Sequence, residues 1–211
     1  ISFKVDPELQ QPLFWLDAMD VNNDGINPVT GASVPVWKNK SESGYIMPYQ
    51  YISNLRPSYS ENEMNGKPAL MFGMNDSDGL PLFSTNNDDV LNDDWSIIVT
   101  GKFYVTSRGD WNSLLGNEIG SSGFAFYLNR MGDGGRIRTK INGSQQFGRV
   151  YKDGSSFVTI ITKEGGKIRV YINGRLEEEV EASSSNIANA RTFYLGQSDG
   201  GNSSGSWYHS G

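Results

Sequence analysis

Residues 154–196 read GSSFVTIITKEGGKIRVYINGRLEEEVEASSSNIANARTFYLG, and this stretch decides the fold. Phe157, Thr159 and Ile161 alternate with Val158, Ile160 and Thr162, and Ile168, Val170 and Ile172 alternate with Arg169 and Tyr171. A period of two puts successive side chains on opposite faces of a strand. Gly165-Gly166 separates the first run from the second, and Asn173-Gly174 separates the second from a third. Asn-Gly between alternating runs marks a two-residue hairpin, because both central residues of a type I′ turn need positive φ. The stretch is therefore an antiparallel meander, followed by a polar loop and another strand from Arg191 to Gly196.

The rest of the chain repeats this grammar. Trp95 to Val105 is the longest strand candidate, with Trp95, Ile97, Val99, Phe103 and Val105 on one face. Shorter strands are expected at Leu13–Asp17, Val34–Trp37, Pro68–Phe72 and Leu114–Leu115. Phe124, Phe126 and Leu128 alternate with Ala125 and Tyr127; Ile137, Thr139 and Ile141 alternate with Arg136, Arg138 and Lys140. Asp20–Gly31 reads as a polar loop, and Asn39–Asn65 as polar and irregular with Tyr45, Tyr49, Tyr51 and Tyr59 in it. No segment shows a 3.6-residue period. Many short strands with short turns imply an all-β chain, a sandwich or a barrel.

Composition narrows the chemistry. The chain has 211 residues, a length that suits one large β-sandwich, and its 25 glycines cluster between apolar runs as turn residues. It has no cysteine, which excludes thiolate metal sites and cysteine nucleophiles. His209 is the sole histidine, so histidine triads and histidine-rich zinc sites lack raw material. The net charge of -6 argues against nucleic acid and anionic membrane as partners. No apolar run is long enough to span a bilayer as a helix.

The order of motifs resembles that of laminin G-like domains, the concanavalin A-like jelly rolls, of the bacterial or phage type. GKIRVYINGRL followed by a polar loop and FYLG resembles the family's C-terminal half. PLFWLDAMDVNNDG, VPVWKNKSESG, NGKPALMFGMNDSDGL and DDWSIIVTGKF resemble its opening and middle elements in sequence order. The resemblance implies a single antiparallel two-sheet β-sandwich over residues 1–211 and an extracellular, cell-surface or virion-surface location. Family members end in a further strand, where this sequence reaches Ser206 to Gly211. The expectation is a domain lacking its final C-terminal strand, with Leu13–Leu16 as that strand's neighbour.

Several constellations are candidates for chemistry. Asp20-Val21-Asn22-Asn23-Asp24-Gly25 matches D-x-[DN]-x-[DN]-G, a spacing in which alternate oxygen side chains wrap a hard cation. Asp17, Asp20, Asn22 and Asp24 are thus candidate Ca2+ ligands, against the plainer reading of a solvated Asx-rich turn. Arg136, Arg138 and Lys140 form a cationic ridge able to dock an acidic glycan or carboxylate, against the plainer reading of an exposed face of an antiparallel sheet, where cations also protect against edge pairing. Trp15 and Trp95 read as core, Trp37 as structural, and Trp111 as the tryptophan best placed for exposure and sugar stacking. Arg108-Gly109-Asp110 and four N-x-S sequons are expected by chance in such a sequence. The run Glu177-Glu178-Glu179 with Glu181 reads as a solvated strand edge, and the E-x-D-x-x-E motif of glycoside hydrolases on this sandwich is absent.

These readings point to a non-catalytic extracellular binding module for glycans or cell-surface polymers, calcium-assisted at its rim. The alternative is a structural or adhesive domain of a phage virion appendage or bacterial adhesin, whose partners are other protein chains. A polysaccharide-active enzyme ranks last, because no carboxylate pair sits at a suitable spacing on one strand.

Overall fold

The computed structural model describes residues 12–51, 53–72, 80–84, 94–102, 112–116, 124–131, 134–141, 144–152, 154–181 and 192–196. These form β1 Ser58–Met64, β2 Lys67–Met71, β3 Leu80–Ser84, β4 Trp95–Lys102, β5 Asn112–Gly116 and β6 Phe124–Met131. They continue as β7 Gly134–Ile141, β8 Ser144–Lys152, β9 Ser156–Glu164, β10 Lys167–Ile172, β11 Arg175–Glu181 and β12 Thr192–Leu195. Helix among the described residues is limited to three-residue 3-10 turns at Ala18–Asp20 and Ser53–Leu55. The strands assemble into a four-stranded sheet ordered β11-β10-β9-β4, a six-stranded sheet ordered β3-β12-β5-β6-β7-β8, and a β1-β2 ribbon. The fold is the expected antiparallel β-sandwich.

The meander at residues 154–196 sets the four-stranded sheet. Ile172 pairs with Arg175 across Asn173-Gly174, whose φ values of 50° and 80° are those of a type I′ turn. The alternation fixes which face is buried. Phe157, Thr159 and Ile161 of β9 and Ile168, Val170 and Ile172 of β10 are buried, while Ile98 and Val158 face outward. Trp95, Ile97 and Val99 of β4 pack against this core, joined from the other sheet by Leu115, Phe126 and Leu195. Phe103 and Val105 lie outside the described residues. At Gly101 the missing side chain is filled by its cross-strand partner Phe157, whose Cε1 lies 2.9 Å from where a Cβ would sit.

Three strands depart from the sequence reading, and all lie where apolar alternation is weakest. β1 falls inside the stretch read as irregular, and Tyr59 is its one buried residue. β3 and β8 are the edges of the six-stranded sheet. β3 carries Pro81, which an edge tolerates, and β8 is largely polar.

Leu13–Asp17 is extended but joins no sheet. It is held instead by Asn39, whose Oδ1 accepts from Trp15 N at 2.8 Å and whose Nδ2 donates to Leu13 O at 3.0 Å. Ser41 and Ser43 hydroxyls also donate to Leu13 O, and Lys40 N donates to Trp15 O. The alternation in this segment points Phe14 and Leu16 toward the core and leaves Trp15 53% exposed, so Trp15 is not a core residue. Among the described residues β4 pairs with β9 alone and β11 with β10 alone. The residues at which the sequence places a closing strand lie outside those described.

Candidate functional site

The acidic loop after Leu16 is built as an Asx-rich turn. Asp17 caps the first 3-10 turn, its Oδ1 accepting from Met19 N at 2.9 Å. Asp20 Oδ1 accepts from Asp24 N and Gly25 N, Asp24 Oδ1 accepts from Ile26 N, and Asn22 Nδ2 donates to Ile26 O. The remaining carboxylate oxygens of Asp17 and Asp20 converge on Lys40, at 3.3 and 3.2 Å from its Nζ. The Gly25 amide, followed by Lys40 and the Asp24 amide, holds the Asp20 carboxyl below the ordinary carboxylate range despite partial burial. Burial works against the Lys40 charge, but its bonds to Asp20 and Asp17 outweigh that and raise its pKa. Lys40 also lies 5.6 Å from the centroid of the Trp15 ring. Among the described residues no three Asp, Glu, His or Cys side chains gather as a metal-holding group. A calcium ion here would have to displace Lys40 from Asp17 and Asp20.

Arg136, Arg138 and Lys140 lie on β7, which is paired with β6 on one side and β8 on the other. Thr139 stands opposite the buried Phe126, so register sets the three cationic positions on the outward face of the sheet. Arg138 is in register with Tyr127 of β6 and Phe147 of β8; Lys140 is in register with Ala125 and Gln145. Edge protection therefore does not account for the ridge, because β7 is not an edge. Trp111 and the 108–110 tripeptide lie outside the described residues.

The acidic run of β11 is divided by an irregularity in its pairing with β10, between Val170 and Tyr171. Glu179 and Glu181 face solvent, as read from the sequence. Lys167 and Arg169 bond to Glu179 at 2.7 and 2.8 Å; together, Lys167 first, they hold its pKa down. Glu178 stands opposite Val170 and is buried, which corrects the reading of a run solvated throughout.

A cluster that the sequence offered only as scattered tyrosines forms before β1. Tyr49 and Tyr51 meet with ring centroids 5.0 Å apart and planes tilted by 56°. Arg56 lies over Tyr49 at 5.2 Å, and its Nε donates to Gln50 O at 2.8 Å. Tyr51 is 83% and Tyr49 44% exposed, while Met47 and Gln50 between and beside them are buried and anchor the segment. The cue available in sequence is Tyr-x-Tyr with an arginine five residues on. It shows no period, because this segment is a loop.

No family model matches the chain, and no curated sequence matches it. Solved structures do. Over 86% of this chain and 28% of the other, it is similar at 11% identity and TM-score 0.57 to a mutant of Trypanosoma rangeli sialidase displaying trans-sialidase activity. Over 79% and 42%, it is similar at 12% identity and TM-score 0.52 to the binding domain of Paraclostridial Mosquitocidal Protein 1. Over 74% and 26%, it is similar at 12% identity and TM-score 0.51 to the enzymatically active domain of bacteriophage CBA120 tailspike protein 2. The chain thus spans less than half of each of these structures. At such identities the likeness defines a class by fold: a β-sandwich domain of the jelly-roll kind. Among the described residues no helix is long and apolar enough to cross a membrane.

Proposed function

We propose that this chain is a non-catalytic, surface-exposed carbohydrate-binding module of the laminin G-like kind. Its outward sheet face, with Arg136, Arg138 and Lys140, takes a glycan or cell-surface polymer, and Trp111 is a stacking residue of the module. The observation that carries the reading is the place of β7. A strand paired on both sides has no edge to defend, yet its register sets three cationic positions on one face, with position 138 between two aromatic positions. Guanidinium and aromatic groups together suit a polar ring that carries negative charge. That one of the similar structures is a binding domain is in keeping with a binding role. The second reading is a domain that packs within a virion appendage or adhesin.

Calcium belongs to this proposal as an assisting ion at Asp17, Asp20, Asn22 and Asp24, in competition with Lys40. A glycan array probed with and without chelator tests the whole. Binding to a defined glycan set supports the module. Binding that chelator removes places calcium in it. An array with no positive glycan, from a folded chain, refutes the carbohydrate reading and leaves the packing role.

A further inference from the structure

We propose that Tyr49, Tyr51 and Arg56 form a second site, separate from the β7 ridge, that takes a carboxylate-bearing sugar residue. The inference rests on the carbohydrate reading and names the ligand class for a different surface. Arg56 is already oriented. Its Nε donates to Gln50 O at 2.8 Å, and its Nη2 donates to Tyr51 O at 3.3 Å and to the Tyr49 hydroxyl at 3.4 Å. Among the described residues Nη1 has no hydrogen-bond partner and no carboxylate pairs with Arg56. That is unusual company for an arginine in a chain with 24 acidic and 18 basic residues. No acidic residue occurs from Ser43 to Ser60. An immobilised guanidinium with free N–H groups is preorganised for a carboxylate, since the entropy of placing it is already lost.

The tyrosines supply the other half. The exposed ring of Tyr51 offers a flat apolar face, and sugar rings present a flat face of C–H groups to such a surface. The segment is fixed from below: Gln50 N donates to Pro35 O at 2.7 Å, and Met47 is buried. Arg56 as a mere staple of the loop accounts for Nε and Nη2. It accounts neither for the free Nη1 nor for an exposed Tyr51 side chain, since the staple uses only the Tyr51 carbonyl.

That difference defines the test. The full chain is titrated by calorimetry with 3′-sialyllactose, trigalacturonate and lactose. One acidic sugar or both should bind at least tenfold more tightly than lactose, the pair separating sialic from uronic acids. Tyr51→Ala leaves the staple intact and should weaken acidic-sugar binding about five- to tenfold. Arg56→Lys should reduce the preference for acidic over neutral sugar about tenfold. In an Arg138→Ala background, which removes the contribution of the β7 ridge, acidic-sugar binding should persist and remain sensitive to Tyr51→Ala. Acidic-sugar binding that survives Tyr51→Ala but is lost in Arg138→Ala overturns the second site and leaves the β7 module standing. A preference for lactose also overturns it. Absence of any sugar binding, here and on the array, overturns both.

Discussion

Replacing Asn39 by alanine should destabilise the chain by about 2–3 kcal/mol, at about 0.5–1.5 kcal/mol net for each lost hydrogen bond. Asn39 accepts from Trp15 N at 2.8 Å and Ser41 N at 3.1 Å, and donates to Leu13 O at 3.0 Å and Tyr45 O at 3.2 Å. Leu13 O keeps the hydroxyls of Ser41 and Ser43 at 2.9 and 2.7 Å, so its loss is covered. Trp15 N, Ser41 N and Tyr45 O lose bonds with no replacement among the described residues, and partial exposure lets water recover some of the cost. For a chain of this size the melting temperature should fall by roughly 5–10 °C. The assay is urea unfolding followed by tryptophan fluorescence, read as a change in midpoint at constant slope. Ser43→Ala removes one of three donors to Leu13 O, with the contacts of its hydroxyl to Ser41 Oγ and Tyr45 N, and should cost about 1 kcal/mol, less than Asn39→Ala. If Asn39→Ala stays within about 0.5 kcal/mol of the parent, or Ser43→Ala costs as much, Asn39 is not the hub of this layer.

Gly101→Ala drives a methyl group into the Phe157 ring and should cost roughly 1–3 kcal/mol by denaturation, with Phe157→Leu recovering part of it. Glu179 has its pKa lowered first by Lys167 and then by Arg169, so its stabilisation is in place above the ordinary value of 4.5. It is lost as pH falls through the depressed folded value, and Glu179→Gln should flatten the acid limb of the stability profile. Calcium in the Asp20 loop should raise the parent's melting temperature, and Asp20→Asn with Asp24→Asn should remove that rise. Superimposable curves in calcium and chelator would take the ion out of the account.

Where burial on one face writes itself into a period of two, the sequence is readable. β4, β9 and β10 follow directly from Trp95-Ile97-Val99, Phe157-Thr159-Ile161 and Ile168-Val170-Ile172. At the edges burial fades, and β3 and β8 carry no such signature. Trp15 was misread because tryptophan on an apolar run suggests core. The residues that pack inward are its neighbours Phe14 and Leu16, and the direction of alternation depends on Asn39, 24 residues away. The cationic ridge was visible as alternation, but that β7 lies inside its sheet required the pairing. The Tyr49–Tyr51–Arg56 cluster is held by backbone carbonyls in a loop, an arrangement that no side-chain period encodes.

The central claim, glycan recognition on the outward face at β7, is tested most directly with a glycan that the array identifies. Its affinity is measured for the parent and for Arg136→Ala, Arg138→Ala and the two combined, with unfolding midpoints taken on the same samples. The account predicts a loss of at least tenfold for Arg138→Ala, more for the pair, and midpoints that do not move. Unchanged affinity in the paired variant would contradict it.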